Sequence, residues 1–149
     1  MTKIERAAVY KFKKKNKFLI HGVSSLKTGG GIASEPFIWL DDSAPFSRIV
    51  EDLMFALSKT QTGLPMPGSW SEFTKEFLKK IGLKRQRDLS KDSLRVSVLN
   101  INGLLNFIPM KNLGNGGFEN VSGDKIIISE KETVEQIFFS LEQAFAQSE

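Results

Sequence analysis

The chain has 149 residues, 40% hydrophobic and 26% charged, with a net charge of +4 and no cysteine. That length and apolar content suffice for one compact domain with its own core, while the lack of cysteine excludes disulfide frameworks, thiolate metal sites and cysteine nucleophiles and points to a reducing compartment. The charged start at residues 1–6, and the lack of any run approaching ~20 apolar residues, speak against a signal segment or a membrane span and make the cytoplasm the expected location.

Charge is unevenly spread. Residues 1–33 carry eight Lys/Arg against one Glu and residues 79–95 seven against two Asp, whereas residues 34–62 carry five acids against two bases and residues 119–149 seven against two. Basic segments therefore alternate with acidic ones, a pattern that suits a nucleic-acid face, a protein partner of mixed charge, or ordinary solvated surface.

Residues 7–12 and 17–23 read as a hairpin, with Val9, Tyr10 and Phe12 favouring strand. Its connection, Lys13-Lys14-Lys15-Asn16, reads as a guard on an edge strand rather than a phosphate contact. Residues 24–33, with Gly29-Gly30-Gly31, lack either periodicity and read as a mobile loop. The apolar run at 36–40 leads into Asp41-Asp42-Ser43. Adjacent side chains on a strand point opposite ways, so the two aspartates read as acids at a helix entry, not as a metal or acid-base pair.

A first helix is expected over residues 44–59, where Phe46, Ile49, Val50, Leu53 and Leu57 share one face. Two prolines and two glycines at 62–68 break it. A second helix follows with Ser69 or Ser71 as cap, Trp70, Phe73, Phe77 and Ile81 on its buried side, and Gly82 as a left-handed stop. Residues 84–93 are basic, with Lys84, Arg85, Arg87 and Lys91, and suit a turn of helix; they lack the interleaved aromatics that stack bases.

The strongest local signal is Asn102-Gly103 between apolar-rich runs at 94–101 and 104–110. Both residues tolerate positive φ, so a tight hairpin turn forms without a Cβ clash. Leu94, Val96 and Val98 define one face of the first strand; Arg95 and Ser97 define the other, toward water or a partner. The glycine-rich stretch 113–118 lacks the Lys-Ser/Thr ending and following helix of a phosphate loop and reads as a bend that returns Phe118 to the core. A short strand at 125–128 precedes a final helix, with Ser129 and Glu132 at capping-box spacing and an apolar stripe of Val134, Ile137, Phe138, Leu141, Ala144 and Phe145. Truncation before Phe138 is expected to unfold the domain. Together these elements give an α+β class, a mainly antiparallel sheet from two hairpins and a further strand with about three principal helices packed on it.

His21 is the single histidine. Zinc ligation lacks partners, a Ser-His-Asp arrangement would have to use His21, and a lone mid-strand histidine reads as structural. No acid spacing singles out a pair. No catalytic residue, cofactor or metal is therefore assigned, and the sequence argues for binding over catalysis.

Residues 56–67 (Ala-Leu-Ser-Lys-Thr-Gln-Thr-Gly-Leu-Pro-Met-Pro), the run Gly114-Asn115-Gly116-Gly117-Phe118, Ile126-Ile127-Ile128 and the closing Leu141-Glu142-Gln143-Ala144-Phe145 resemble a family of immunity proteins from bacterial contact-dependent growth inhibition systems. The order of elements agrees over roughly residues 40–147. The resemblance implies a small cytoplasmic protein, not an enzyme, that pairs one to one with the C-terminal toxin domain of a delivered effector, often a nuclease, and blocks it. It transfers no contact residues. The expected contact surface is Glu35, Asp41 and Asp42 beside Trp39, whose carboxylates suit the phosphate subsites of a nuclease; Lys84, Arg85 and Arg87 suit an acidic toxin equally well. The alternative function is a nucleic-acid-binding module using residues 11–17 and 79–95.

Overall fold

A computed structural model describes residues 3–121 and 125–149. The elements, in chain order, are β1 (Ile4–Phe12), β2 (Lys17–Ser25), β3 (Gly31–Asp41), α1 (Phe46–Ser58), α2 (Trp70–Ile81), α3 (Arg87–Ser90), β4 (Ser93–Ile101), β5 (Leu104–Asn112), β6 (Phe118–Asn120), β7 (Ile126–Ser129) and α4 (Val134–Gln147). The fold is α+β. Its sheet is antiparallel in the order β3-β2-β1-β4-β5, and β6 and β7 pair with different ends of the far side of β5.

Both hairpins form as the sequence predicts. Asn102 (φ 51°) and Gly103 (φ 91°) make the turn between β4 and β5, with Ile101 opposite Leu104. Alternation along the central strands then sends side chains to two separate cores. Ala7, Val9, Phe18, Ile20, Val96, Val98, Leu105 and Phe107 face α1 and α4, where Ile49, Leu53, Leu57, Leu141 and Phe145 complete one cluster. Ala8, Tyr10, Phe12 and Leu19 face the other way and meet Leu78 and Ile81 of α2 and Leu89 of α3. The sheet is thus sandwiched between two helical layers, a depth of burial typical of strands covered on both sides.

Several expectations are corrected. Half of the stretch 24–33 is strand: β2 runs to Ser25, β3 starts at Gly31, and five residues turn between them, held by Leu26 N–H to Gly30 O at 2.8 Å and Lys27 N–H to Leu64 O at 2.8 Å. Glycines and small polar residues hid the ladder, since a strand paired to a neighbour needs no apolar alternation of its own. The lysine turn 13–16 joins two interior strands, so it guards no edge. Asp41 and Asp42 do not enter a helix: α1 starts at Phe46 behind Pro45, without a side-chain cap and without an acid in its first turn. On α4 the cap is Thr133, whose Oγ1 accepts from Gln136 N–H at 3.2 Å; Ser129 instead ends β7 and accepts from Lys131 N–H. Phe46 and Trp70, expected inside, are 41% and 49% exposed.

Candidate functional site

The two basic sequence segments meet in one cleft. At the β1–β2 turn, Lys13 N–H donates to Asp92 O at 3.1 Å and Lys14 N–H donates to Asp92 Oδ2 at 2.6 Å, which pins the lysine turn to the start of β4. From the other side, Gly82 (φ 74°) stops α2 in the left-handed conformation and Leu83 N–H returns to Leu78 O at 3.0 Å, turning the chain so that Lys84 reaches the same place. A hollow of about 330 Å³ results, lined by Lys14, Lys15, Lys84 and Lys91 with Asp88 and Asp92.

Both acids there are already engaged. Asp88 accepts from Arg85 N–H and from Arg85 Nη2, each at 3.1 Å, and the Arg85 guanidinium holds its carboxyl below the usual carboxylate range. Asp92 accepts from the Lys14 amide. Four lysines therefore line the cleft against two carboxylates, and a second hollow, lined by Arg85, Arg87 and Lys91, adjoins it. Such a surface attracts carboxylates or phosphates.

The opposite layer carries the reverse charge. Helices α1 and α4 carry Glu51, Asp52, Glu135 and Glu142 against Arg48, which pairs with Asp52 at 2.9 Å, while Glu142 pairs with Lys11 of β1 at 3.5 Å. Phe139, 57% exposed, and Phe46 border a hollow between these helices. Alternating charge along the sequence has become segregation between two faces.

The structure brings together Lys84, Arg85 and Arg87 of the sequence-predicted contact residues, and adds Lys14, Lys15 and Lys91 to them. It does not gather the acidic group. Glu35 lies at a register irregularity in β3 and pairs with Lys80 at 3.9 Å; Asp41 closes the strand's far end and Asp42 follows it. Trp39 packs on Phe12, with ring centroids 5.2 Å apart, and donates from Nε1 to Ile81 O at 3.0 Å, so it anchors α2 to the sheet.

Beneath α2 lies a polar chain that sequence reading missed. Arg95 Nη1 donates to the Tyr10 hydroxyl at 3.1 Å, that hydroxyl sits 3.5 Å from His21 Nε2, and His21 Nδ1–H donates to Gly22 O at 2.7 Å. Burial lowers the His21 pKa to about 4, with the Arg95 charge acting in the same sense, so the ring is neutral. Burial raises the Tyr10 pKa, opposed by Arg95. His21 is a core residue. Its alternation partner on β1 was the only available signal, because Tyr10 and His21 fall on the same face of a hairpin whose register follows from its turn. Among the described residues no group of three or more His, Asp or Glu is placed to hold a metal ion, and no helix is long and apolar enough to cross a membrane.

No family model and no curated protein matches the chain. Solved structures do. A protein of unknown function from Neisseria meningitidis aligns with a TM-score of 0.78 at 16% identity, covering 99% of this chain and 96% of that one. A chain of the CdiA-CT/CdiI toxin and immunity complex from Yersinia pseudotuberculosis aligns with a TM-score of 0.77 at 14% identity, covering 99% of this chain and 98% of that one. At such identities the likeness establishes a common fold from end to end.

Proposed function

We propose that this protein is an immunity protein that binds and neutralises the toxin domain of a contact-dependent growth inhibition effector. The observation that carries the reading is the end-to-end likeness to a chain of a toxin and immunity complex, and the sequence resemblance favours the immunity half of that pair. The protein acts in the cytoplasm as a one-to-one partner and performs no chemistry of its own. Its contact surface is the cleft of Lys14, Lys15, Lys84 and Lys91 with Arg85 and Arg87 beside it. The toxin is a nuclease, and the lysines engage the acidic side chains that hold its catalytic metal. Complementary charge of this kind speeds encounter, and truncation of paired groups shows in the dissociation rate.

Co-expression with any toxin domain found encoded beside this gene tests the reading. The protein should restore growth and titrate the purified toxin at a one-to-one ratio. The triple variant Lys14→Glu, Lys84→Glu, Lys91→Glu should lose both. Absence of protection and of a complex with the wild-type protein would overturn the proposal; full affinity in the triple variant would overturn the assigned surface.

The convergence of both basic segments in one cleft also favours a second reading, a nucleic-acid-binding module. Binding of RNA or DNA at low salt that weakens steeply as salt rises would support it, and no binding at low salt would remove it.

A further inference from the structure

On the same side of the sheet as the basic cleft, a hollow of about 380 Å³ opens between α2 and the strands. Trp70, Phe73 and Phe77 line it from the helix, Arg95 and His21 from the strands, and Gly116 and Gln86 at a second rim. Aromatic walls with a few converging polar groups are the usual make-up of a small-molecule site.

Arg95 gives the hollow its chemistry. Its guanidinium packs against the rings of Tyr10, 5.4 Å from the centroid, and Phe118, 5.8 Å away. One nitrogen, Nη1, is taken by the Tyr10 hydroxyl. Nε is buried with no hydrogen-bond partner, and no carboxylate among the described residues forms an ion pair with this side chain. A partly buried cation without a counter-ion carries a desolvation penalty that a nearby anion would relieve. Nη2 has no partner among the described residues and is not closed off as Nε is, so it is the nitrogen that an acceptor in the hollow reaches. The neighbouring His21 is neutral and the Tyr10 hydroxyl is protonated, so neither supplies a countercharge.

The glycine bend belongs to this site. Gly116 N–H donates to Ser90 Oγ at 2.9 Å, which draws the bend down onto α3, and a Cβ at 116 would lie 2.6 Å from Gln86 O. Only glycine permits this approach, and it places the bend at the rim of the hollow.

We infer that the hollow over Arg95 binds a small aromatic carboxylate, its ring against Trp70, Phe73 and Phe77 and its carboxylate on Arg95 Nη2. The site is independent of the toxin-binding reading and is tested on the protein alone.

The probes are indole-3-acetate and its neutral amide, titrated into isotope-labelled protein while the Arg95 Nε–H and Trp70 indole N–H signals are followed by NMR. The acid should shift both signals saturably and bind at least about tenfold more tightly than the amide, a difference of about 1.4 kcal/mol. Arg95→Gln should abolish that preference. Because Arg95 packs between two rings, Arg95→Lys provides a second variant that keeps the charge and loses the planar guanidinium, and it should reduce the preference without removing it. Trp70→Ala, at a half-exposed position, should weaken acid and amide alike. Equal affinities for acid and amide, no saturable shift with either probe, or an unchanged preference in a folded Arg95→Gln protein would overturn the inference. The acid-amide comparison in the wild-type protein stands without any variant.

Discussion

The Lys14 amide donates to the Asp92 carboxylate at 2.6 Å, although 78 residues separate the two. This contact fastens the lysine turn of the first hairpin to the strand that follows α3, and so builds the basic cleft from segments remote in sequence. Asp92 also sits at φ 56°, a conformation that asparagine and aspartate tolerate better than alanine. Asp92→Ala should therefore lower stability by about 1–3 kcal/mol through the lost acceptor and the backbone strain together, and Asp92→Asn should lose less. Urea unfolding of the two variants checks the order.

His21 makes stability depend on pH. The folded state holds its pKa near 4, below the unfolded value of 6.5, so between these values the unfolded chain binds more protons and stability falls as pH falls. The loss between pH 7 and pH 5 should be about 2 kcal/mol. Comparison of urea midpoints for the wild type and His21→Gln tests it; the variant should be less stable at pH 7 and should show a smaller change between the two pH values.

Leu141 is fully buried between α4, α1 and the sheet. Leu141→Ala should cost about 2–5 kcal/mol. Deleting the chain from Phe138 onward removes Leu141, Ala144 and Phe145 from the same cluster and should abolish cooperative thermal unfolding.

The position of the α4 cap gives a sharper contrast. Thr133 Oγ1 accepts from Gln136 N–H, whereas Ser129 Oγ serves a turn outside the helix. Thr133→Ala should lose about 1 kcal/mol, and Ser129→Ala clearly less, both measured by chemical denaturation.

Two glycines of the bend should also separate. Gly114 (φ 83°) faces open space, so Gly114→Ala adds only the left-handed strain of about 1–2 kcal/mol. Gly116→Ala adds a clash with Gln86 O on top of it and should cost more. Thermal unfolding of both variants reads the difference.

How much the sequence disclosed depended on whether a signal was local. Asn102-Gly103, Gly82 and the 3.6-residue stripe of α4 act through neighbouring atoms, and each appears where expected except Val134, which starts the stripe and is exposed. The strand at Gly31–Asp41 did not, because its first half is held by the ladder to β2 rather than by its own alternation. The S-x-x-E spacing at Ser129 competed with Thr133-x-x-Gln136, and the second won because β7 needs Ser129 as its last paired residue, opposite Leu104. Of the site, Lys84, Arg85 and Arg87 were legible as a run. Their neighbours Lys14 and Lys15 were misread as edge guards, since strand order is a property of long-range pairing. Arg95, placed toward water or a partner by alternation, lies instead against Tyr10 and Phe118, because a second helical layer covers that face.

The double-sided burial of β1 has a consequence for how the molecule can change. Ala7 and Val9 belong to one core, Ala8 and Tyr10 to the other, so the strand insulates the lysine-bearing layer from the glutamate-bearing one. Substitutions on the two exteriors should combine additively. A descendant of this chain can change one exterior, residue by residue, and leave the other as it was.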